Sequence, residues 1–368
     1  MKKRFLGVLL SVAMVAAVLA GCGSSGAKET AAPAGSETEA ASEAASGETE
    51  AAGNTGDVIT VGFSQVGAES DWRTANSESM KSTFSTENGY NLIFDDAQQK
   101  QENQIAAIRN CIQQEVDYIV LAHVTESGWD TVLQEAKDAE IPVIIVDRMV
   151  NVSDDSLYTA WVGSNFKLEG QKACEWLKQY AAAKNMSEVN IVDIQGTIGA
   201  SAQIGRTAAL NEAVEANGWN LLAQQTGEFT QAKGQEVMES MLKQYDNINV
   251  VYCENDNEAF GAIEAIKAAG KTVGPDGDIL VMSFDTTKQG ITDTLSGDII
   301  VNTECNPLHG PRVEQIIKQL QAGETPEKQA YVEEGIYAHG SDVASVSIDG
   351  TDYEVTEVTQ DVVDARAY

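Results

Sequence analysis

Short runs of apolar residues alternate along most of the chain with longer stretches whose apolar positions recur every three or four residues. The short runs fall at 58–63, 92–94, 118–122, 141–146, 189–194, 221–226, 248–253 and 279–284. They are mostly continuous in Val, Ile and Leu rather than alternating, as strands buried on both faces of a parallel sheet must be. Between them, 72–88, 98–114, 129–139, 200–217, 231–245 and 258–269 carry helical spacing, with Ile105, Ile108 and Ile112 on one face of the second. Gly270 directly after Ala268 and Ala269 reads as a helix stop. The rhythm comes in two similar sets of βα units, which predicts an α/β protein of two doubly wound parallel-sheet lobes.

The two ends break the rhythm. Lys2, Lys3 and Arg4 precede an apolar stretch, 5–20, that closes in Leu19-Ala20-Gly21-Cys22. The stretch is shorter than the roughly 20 residues of a membrane span and has the layout of a secretory signal, 1–21. Small residues before a cysteine at the processing point resemble a bacterial lipobox, with Cys22 as the lipid attachment site. Residues 22–56 follow, built from Gly, Ala, Ser, Thr and Glu; such a segment buries too little to offset its ordering entropy and is expected to be a disordered acidic linker. At the other end, 345–355 reads as a hairpin around Asp349-Gly350.

Composition narrows the partners. The formal net charge of -32 disfavours nucleic acid and anionic lipid, both of which reward a basic surface. Cys111, Cys174, Cys253 and Cys305 are far apart and lie mostly in apolar runs, so buried free thiols are expected rather than bridges. With His123, His309 and His339 alone and no paired Cys/His spacing, neither a metal site nor a cofactor is expected.

In an open parallel sheet, ligands bind beyond the carboxyl ends of the strands. Past the first run come Glu69, Trp72 and Arg73; past the fourth, Asp147 and Arg148; past the fifth, Arg206 further on; past the later ones, Phe229, Asn255 and Asp285. Carboxylates and guanidinium groups bond adjacent hydroxyls in a fork, and aromatic faces cover the C–H side of a sugar ring. Plainer roles exist for each: Trp72 as core, Asp147–Arg148 as a surface ion pair, Asn255 as a helix cap. Their concentration at one edge favours a polyol site.

These residues carry a resemblance. The segments 61–67 (VGFSQVG) with Trp72-Arg73, 98–104 (QQKQENQ), 135–142 (EAKDAEIP) with Asp147-Arg148, 195–201 (QGTIGAS), 234–240 and Glu254-Asn255-Asp256 are similar to the type I periplasmic binding proteins. These are the sugar-capturing components of ABC importers, and the galactofuranose binders among them are most alike. The resemblance implies a cleft between two lobes joined by three crossovers, the first lobe at 57–162 and 306–334, the second at 163–305 and 335–368. It implies ligand contacts at Glu69, Trp72, Arg73, Asp147, Arg148, Arg206, Phe229, Asn255 and Asp285. It adds Glu304, which matches a glutamate of the galactofuranose type, where the ribose binders' glutamine would fall on Cys305. Trp72 and Phe229 are expected to sandwich the ring.

The expectation is then an extracytoplasmic or periplasmic monomer, held to the membrane through its lipid alone, that passes a monosaccharide to an ABC permease. Another small ligand (ribose, arabinose, a nucleoside or a signalling molecule) serving a sensor or chemoreceptor remains open. A glycosidase would need one of Asp147 and Asp285 as acid and the other as base; Arg148 and Arg206 are expected to keep both ionised, so no catalytic residue is assigned. A sugar-responsive transcription regulator is disfavoured by the export signal and by the lack of a basic DNA-binding segment.

Overall fold

The computed structural model of the chain describes residues 58–368; the expected signal, Cys22 and the linker lie outside the described residues. The first half alternates β1 (Ile59–Gln65), α1 (Asp71–Thr83), β2 (Tyr90–Asp96), α2 (Gln101–Gln113), β3 (Tyr118–Leu121), α3 (Asp130–Asp138), β4 (Val143–Asp147) and β5 (Ala160–Gly163). The second set comprises α4 (Phe166–Ala183), β6 (Asn190–Gln195), α5 (Ser201–Asn217), β7 (Asn220–Thr226), α6 (Gln231–Gln244), β8 (Val250–Cys253), α7 (Asp256–Ala268), β9 (Leu280–Asp285), α8 (Lys288–Ser296) and β10 (Val301–Glu304). Then come α9 (Gly310–Gln321), β11 (Gln329–Tyr331), β12 (Ile336–Ala338), β13 (Ser345–Ile348), β14 (Thr351–Glu357) and α10 (Gln360–Ala365).

Two sheets result. A six-stranded sheet runs β11-β5-β4-β3-β1-β2, all neighbours parallel. An eight-stranded sheet runs β13-β14-β12-β10-β9-β8-β6-β7, antiparallel only where β10 meets β12 and β13 meets β14. The central strands are buried throughout, β4 and β9 at every residue, which is why their sequences show no alternation. Each sheet is covered on both faces, giving two doubly wound lobes. The hairpin forms as expected, with Asp349 and Gly350 both at positive φ (50° and 82°).

Element ends differ from the sequence pattern where backbone chemistry intervenes. β4 starts at Val143, one residue after Pro142, which has no N–H for the ladder. α2 starts at Gln101 because Gln98 and Gln99 turn through positive φ (54° and 60°). The chain passes between the lobes after β5, after β10 and after β11. These three crossovers are tied together: Val332 N donates to Gly163 O at 2.9 Å, and Glu304 N to Gly335 O at 3.0 Å.

Candidate functional site

The lobes touch across the edge on which the strands end. Glu126 N donates to Gly199 O at 3.0 Å, Met149 N to Ser201 Oγ at 3.1 Å, and Asp71 N to Asn257 Oδ1 at 3.0 Å. Behind these contacts lies a cavity of ≈ 300 Å³ at most, lined by Glu69, Trp72, Arg73, Asp147, Arg148, Arg206, Phe229, Asn255 and Asp285, with Ser70, Phe166, Ala202 and Cys305.

The first lobe supplies a charge network. Ser70 caps α1, its side chain accepting from Arg73 N, which aims the Arg73 side chain at the exit of β4. There Arg73 bonds Asp147 Oδ2 at 2.7 Å, Glu69 Oε1 at 3.1 Å and Gln65 Oε1 at 3.3 Å. Burial alone would push the Asp147 carboxyl up, but Arg73, then Arg148 and His309, hold it below the ordinary carboxylate range. Arg148 sits 3.8 Å from the same carboxylate and donates to Val124 O at 2.8 Å. Burial and the neighbouring Arg73 bring its pKa down to about 10, so it stays charged at neutral pH. Glu69 Oε2 and Arg148 Nε are buried without protein partners. Both residues line the cavity, one offering an acceptor and the other a donor.

The second lobe answers with Arg206, 2% exposed. It is gripped by Glu169 at 2.7 Å and approaches Asp285 at 3.5 Å; it also donates to Glu254 O. Phe229 is fixed from both sides: its N–H donates to Glu258 Oε1 at 2.9 Å and its carbonyl accepts from Asn255 Nδ2 at 3.1 Å. Asn255 Oδ1 in turn caps α7 through Glu258 N at 2.8 Å, so the plainer role considered for Asn255 is present alongside its place in the cavity wall. The Arg148 guanidinium stands 5.3 Å from the Phe229 ring centre, across the cleft. Trp72 donates its Nε1–H to Cys305 O at 2.6 Å and packs with Phe166, Ala200, Ala202, Phe229 and Cys305.

Three of the wall residues hold the backbone in the left-handed region: Asp147 (φ 66°), Phe229 (φ 61°) and Asp285 (φ 99°). Such geometry persists where surrounding bonds over-determine it and gathers at functional sites.

Two expectations require correction. Glu304 does not reach this cavity. Its carboxylate turns to the far side of the hinge, where Oε1 takes Arg366 Nη1 at 2.8 Å and Tyr368 OH at 2.7 Å, and Oε2 takes Gly335 N at 2.9 Å. There it lines a separate hollow with Tyr337 and the C-terminal residues. Cys305, one step later and on the opposite side, is the residue that faces the cleft. The two carboxyls expected to stay ionised together are also shifted in opposite directions. Burial pushes Asp285 well above the usual carboxylate range, Arg206 opposes that, and Asp256 and Glu169 add to it. Arg206 is already committed to Glu169, which is why its charge does not keep Asp285 low.

The four body cysteines are buried and unpaired. No described helix is long and apolar enough to cross a membrane. Among the described residues, one group of metal-ligand type stands together: Glu169, Cys305 and Glu334, with donor atoms within 4.8 Å of one another. Arg206 and Lys172 reach the same carboxylates and supply the positive charge there.

Residues 61–303 match the family described as periplasmic binding protein domain. The galactofuranose-binding protein YtfQ of Escherichia coli is 41% identical over 284 residues, 76% of this chain and 87% of that protein. A solved structure from Mycobacterium smegmatis in complex with β-D-fucofuranose is 43% identical, with a TM-score of 0.73, over 76% of this chain and 91% of that one. The arabinose ABC transporter binding component of Shewanella sp. ANA-3, bound to α- and β-L-arabinofuranose, is 41% identical, with a TM-score of 0.71, over 76% and 92%.

Proposed function

The chain belongs to the periplasmic binding protein domain family, and from this premise we propose that it captures one monosaccharide outside the cell membrane and presents it to an ABC permease. The observation that carries the reading is the closed cleft itself. Three buried arginines, Arg73 and Arg148 from one lobe and Arg206 from the other, the carboxyls of Glu69, Asp147 and Asp285, and two aromatic rings, Trp72 and Phe229, converge on one small cavity between the lobes. Glu69 Oε2 and Arg148 Nε stand ready for hydroxyl groups.

Furanoses are favoured over pyranoses because relatives at 41% and 43% identity carry galactofuranose, fucofuranose and arabinofuranose in their names. Strand membership supports the bounds 57–162 with 306–334 for one lobe and 163–305 with 335–368 for the other. The sequence supports lipidation at Cys22 and a monomer held to the membrane through that lipid. The family's members are binding proteins, and we read this chain as non-catalytic: one Asp147 oxygen is tied to Arg73 and Asp285 faces Arg206, an arrangement suited to holding hydroxyls.

A thermal-shift panel of D-galactose, L-arabinose, D-fructose and D-ribose, with a methyl galactofuranoside, tests this. A ligand at a hundredfold its dissociation constant stabilises by about 2.7 kcal/mol. One sugar should shift the melting point clearly and Arg148→Ala should abolish the shift; no shift with any sugar sinks the reading. Release of product from an aryl galactofuranoside would sink the non-catalytic part alone.

A further inference from the structure

Where the three crossovers meet, behind the cleft, lies a second buried set of ionisable groups. Glu334, on the third crossover, accepts at Oε1 from Ser164 Oγ and from Asn306 N, both at 2.7 Å. It thereby ties the first crossover to the second. Lys172 Nζ of α4 donates to the Glu334 carbonyl at 2.8 Å. Glu169, one turn earlier on α4, gives Oε2 to Arg206 (Nε 2.8 Å, Nη2 2.7 Å). Its other oxygen, Oε1, is buried and has no partner among the hydrogen bonds. Yet the donor atoms of Glu169, Cys305 and Glu334 lie within 4.8 Å of one another.

Two carboxylates this close, one buried and the other partly so, repel strongly, and one shared proton is the stable form. A divalent cation would relieve the repulsion too, but it would stand against two fixed cations, Arg206 and Lys172. The groups facing the pair from each packed element are Lys172 on α4, Arg206 on α5, Asp285 at the end of β9, Glu304 and Cys305 at the end of β10, and the Ser164 hydroxyl. Burial pushes both carboxyls up; Arg206 and Lys172 pull Glu169 back only in part, and Glu169 raises Glu334 further.

We propose that Glu169 is a positioning residue of the sugar site: a proton held between Glu169 and Glu334 fastens α4 to the crossovers, and through Glu169 the hinge sets where Arg206 stands in the cleft. The inference rests on the sugar-binding reading. A group with a raised pKa carries its proton at low pH and loses it as pH rises. Once that proton leaves, Glu169 and Glu334 push apart, and Arg206 loses the fixed anchor that aims it. Affinity for sugar and the stability of the hinge then fall together.

The test compares wild type with Glu334→Gln and Glu169→Gln in two readouts: melting temperature without sugar, and calorimetric affinity for the sugar that shifts the panel most. Wild-type affinity should weaken by at least about fivefold between about pH 6 and about pH 9, the low end of ordinary coupling between sites. Glu334→Gln donates an amide proton to Glu169 at every pH and still accepts from Ser164 and Asn306. It should flatten that dependence to within about twofold and make the sugar-free melting curve less sensitive to pH. Glu169→Gln, with a neutral partner for Arg206, should weaken binding across the range. Wild-type slopes persisting in Glu334→Gln overturn the proposal. A total absence of sugar binding overturns the sugar reading, whereas the sugar-free melting slopes still decide whether the pair holds a proton.

Discussion

Asp147 sits between Arg73 at 2.7 Å and Arg148 at 3.8 Å, with all three side chains nearly excluded from water. Asp147→Ala leaves two buried guanidinium groups with Glu69 as their nearest remaining counter-charge, so unfolding in urea should register a loss of about 3–5 kcal/mol, and sugar binding should vanish. Gly196 makes a subtler point: a Cβ there would lie 1.9 Å from the Phe229 ring. Gly196→Ala must therefore displace the ring from the cleft wall, and calorimetry should show an affinity loss of about tenfold or more, the worth of about one aromatic contact. Glu304→Gln separates the corrected geometry from the expected one. A ligand contact would lose affinity steeply; a tail anchor should cost about 1–3 kcal/mol of stability, as Arg366 loses its charged partner, while affinity changes little. The residue types at the strand exits were legible in sequence. Which of two adjacent residues faces the cleft was not, because neighbours at a strand end point to opposite sides, and family likeness favoured Glu304 over Cys305.

At the scale of elements, the strand exits carried most of what the sequence made visible. Continuous apolar runs marked the buried strands, and the residues just past them became the cavity wall. Phe166 follows the same logic at the exit of β5, but that strand is four residues long and its exit is a crossover rather than a loop. α4, the longest helix at 18 residues, leaves no clean apolar stripe because Glu169 and Lys172 occupy buried positions beside Trp176, Leu177 and Tyr180. A charged residue on a buried face reads as surface until its partners are seen. α7 shows how an element end can serve two tasks, since Asn255 caps it and also holds the Phe229 carbonyl. Asn255→Ala should lose about 0.5–2 kcal/mol from the cap and release the 227–230 loop. Melting temperature and sugar affinity should fall together, whereas loss of the cap alone would move only the first.

Over the whole molecule, many carboxyls are buried, and their sum dictates how stability responds to acid. In the second lobe, burial pushes Asp193 up to about 7, with only Gln224 opposing, and Asp256 up to about 6, against hydrogen bonds from Ser283, Thr287 and Asn302. Glu254, Glu258 and Asp285 are pushed up as well, burial first in each case. An unfolded Asp titrates near 3.9, so between about 4 and about 7 the native state holds protons that the unfolded chain has lost. Their contribution is complete below about 4 and disappears as pH rises through the native values, at about 1.4 kcal/mol per proton and pH unit. Two groups pull the other way: burial brings His123 down to about 3 and His309 down to about 4. The unfolded chain therefore takes up two protons below about 6.5 that the native state refuses. These five raised carboxyls, joined by Glu169 and Glu334, outnumber the two depressed histidines across this window. The melting temperature should rise as pH falls from about 7.5 to about 5, and turn over only near 4, where the unfolded chain begins to take up protons at Asp147 and Glu304 that the native state, holding both low, still refuses. Asp193→Asn, which keeps an acceptor for Gln224, should flatten that rise. A melting temperature that falls steadily from neutral pH downward would mean that the histidines win and that the second-lobe carboxyls are ionised in the native protein.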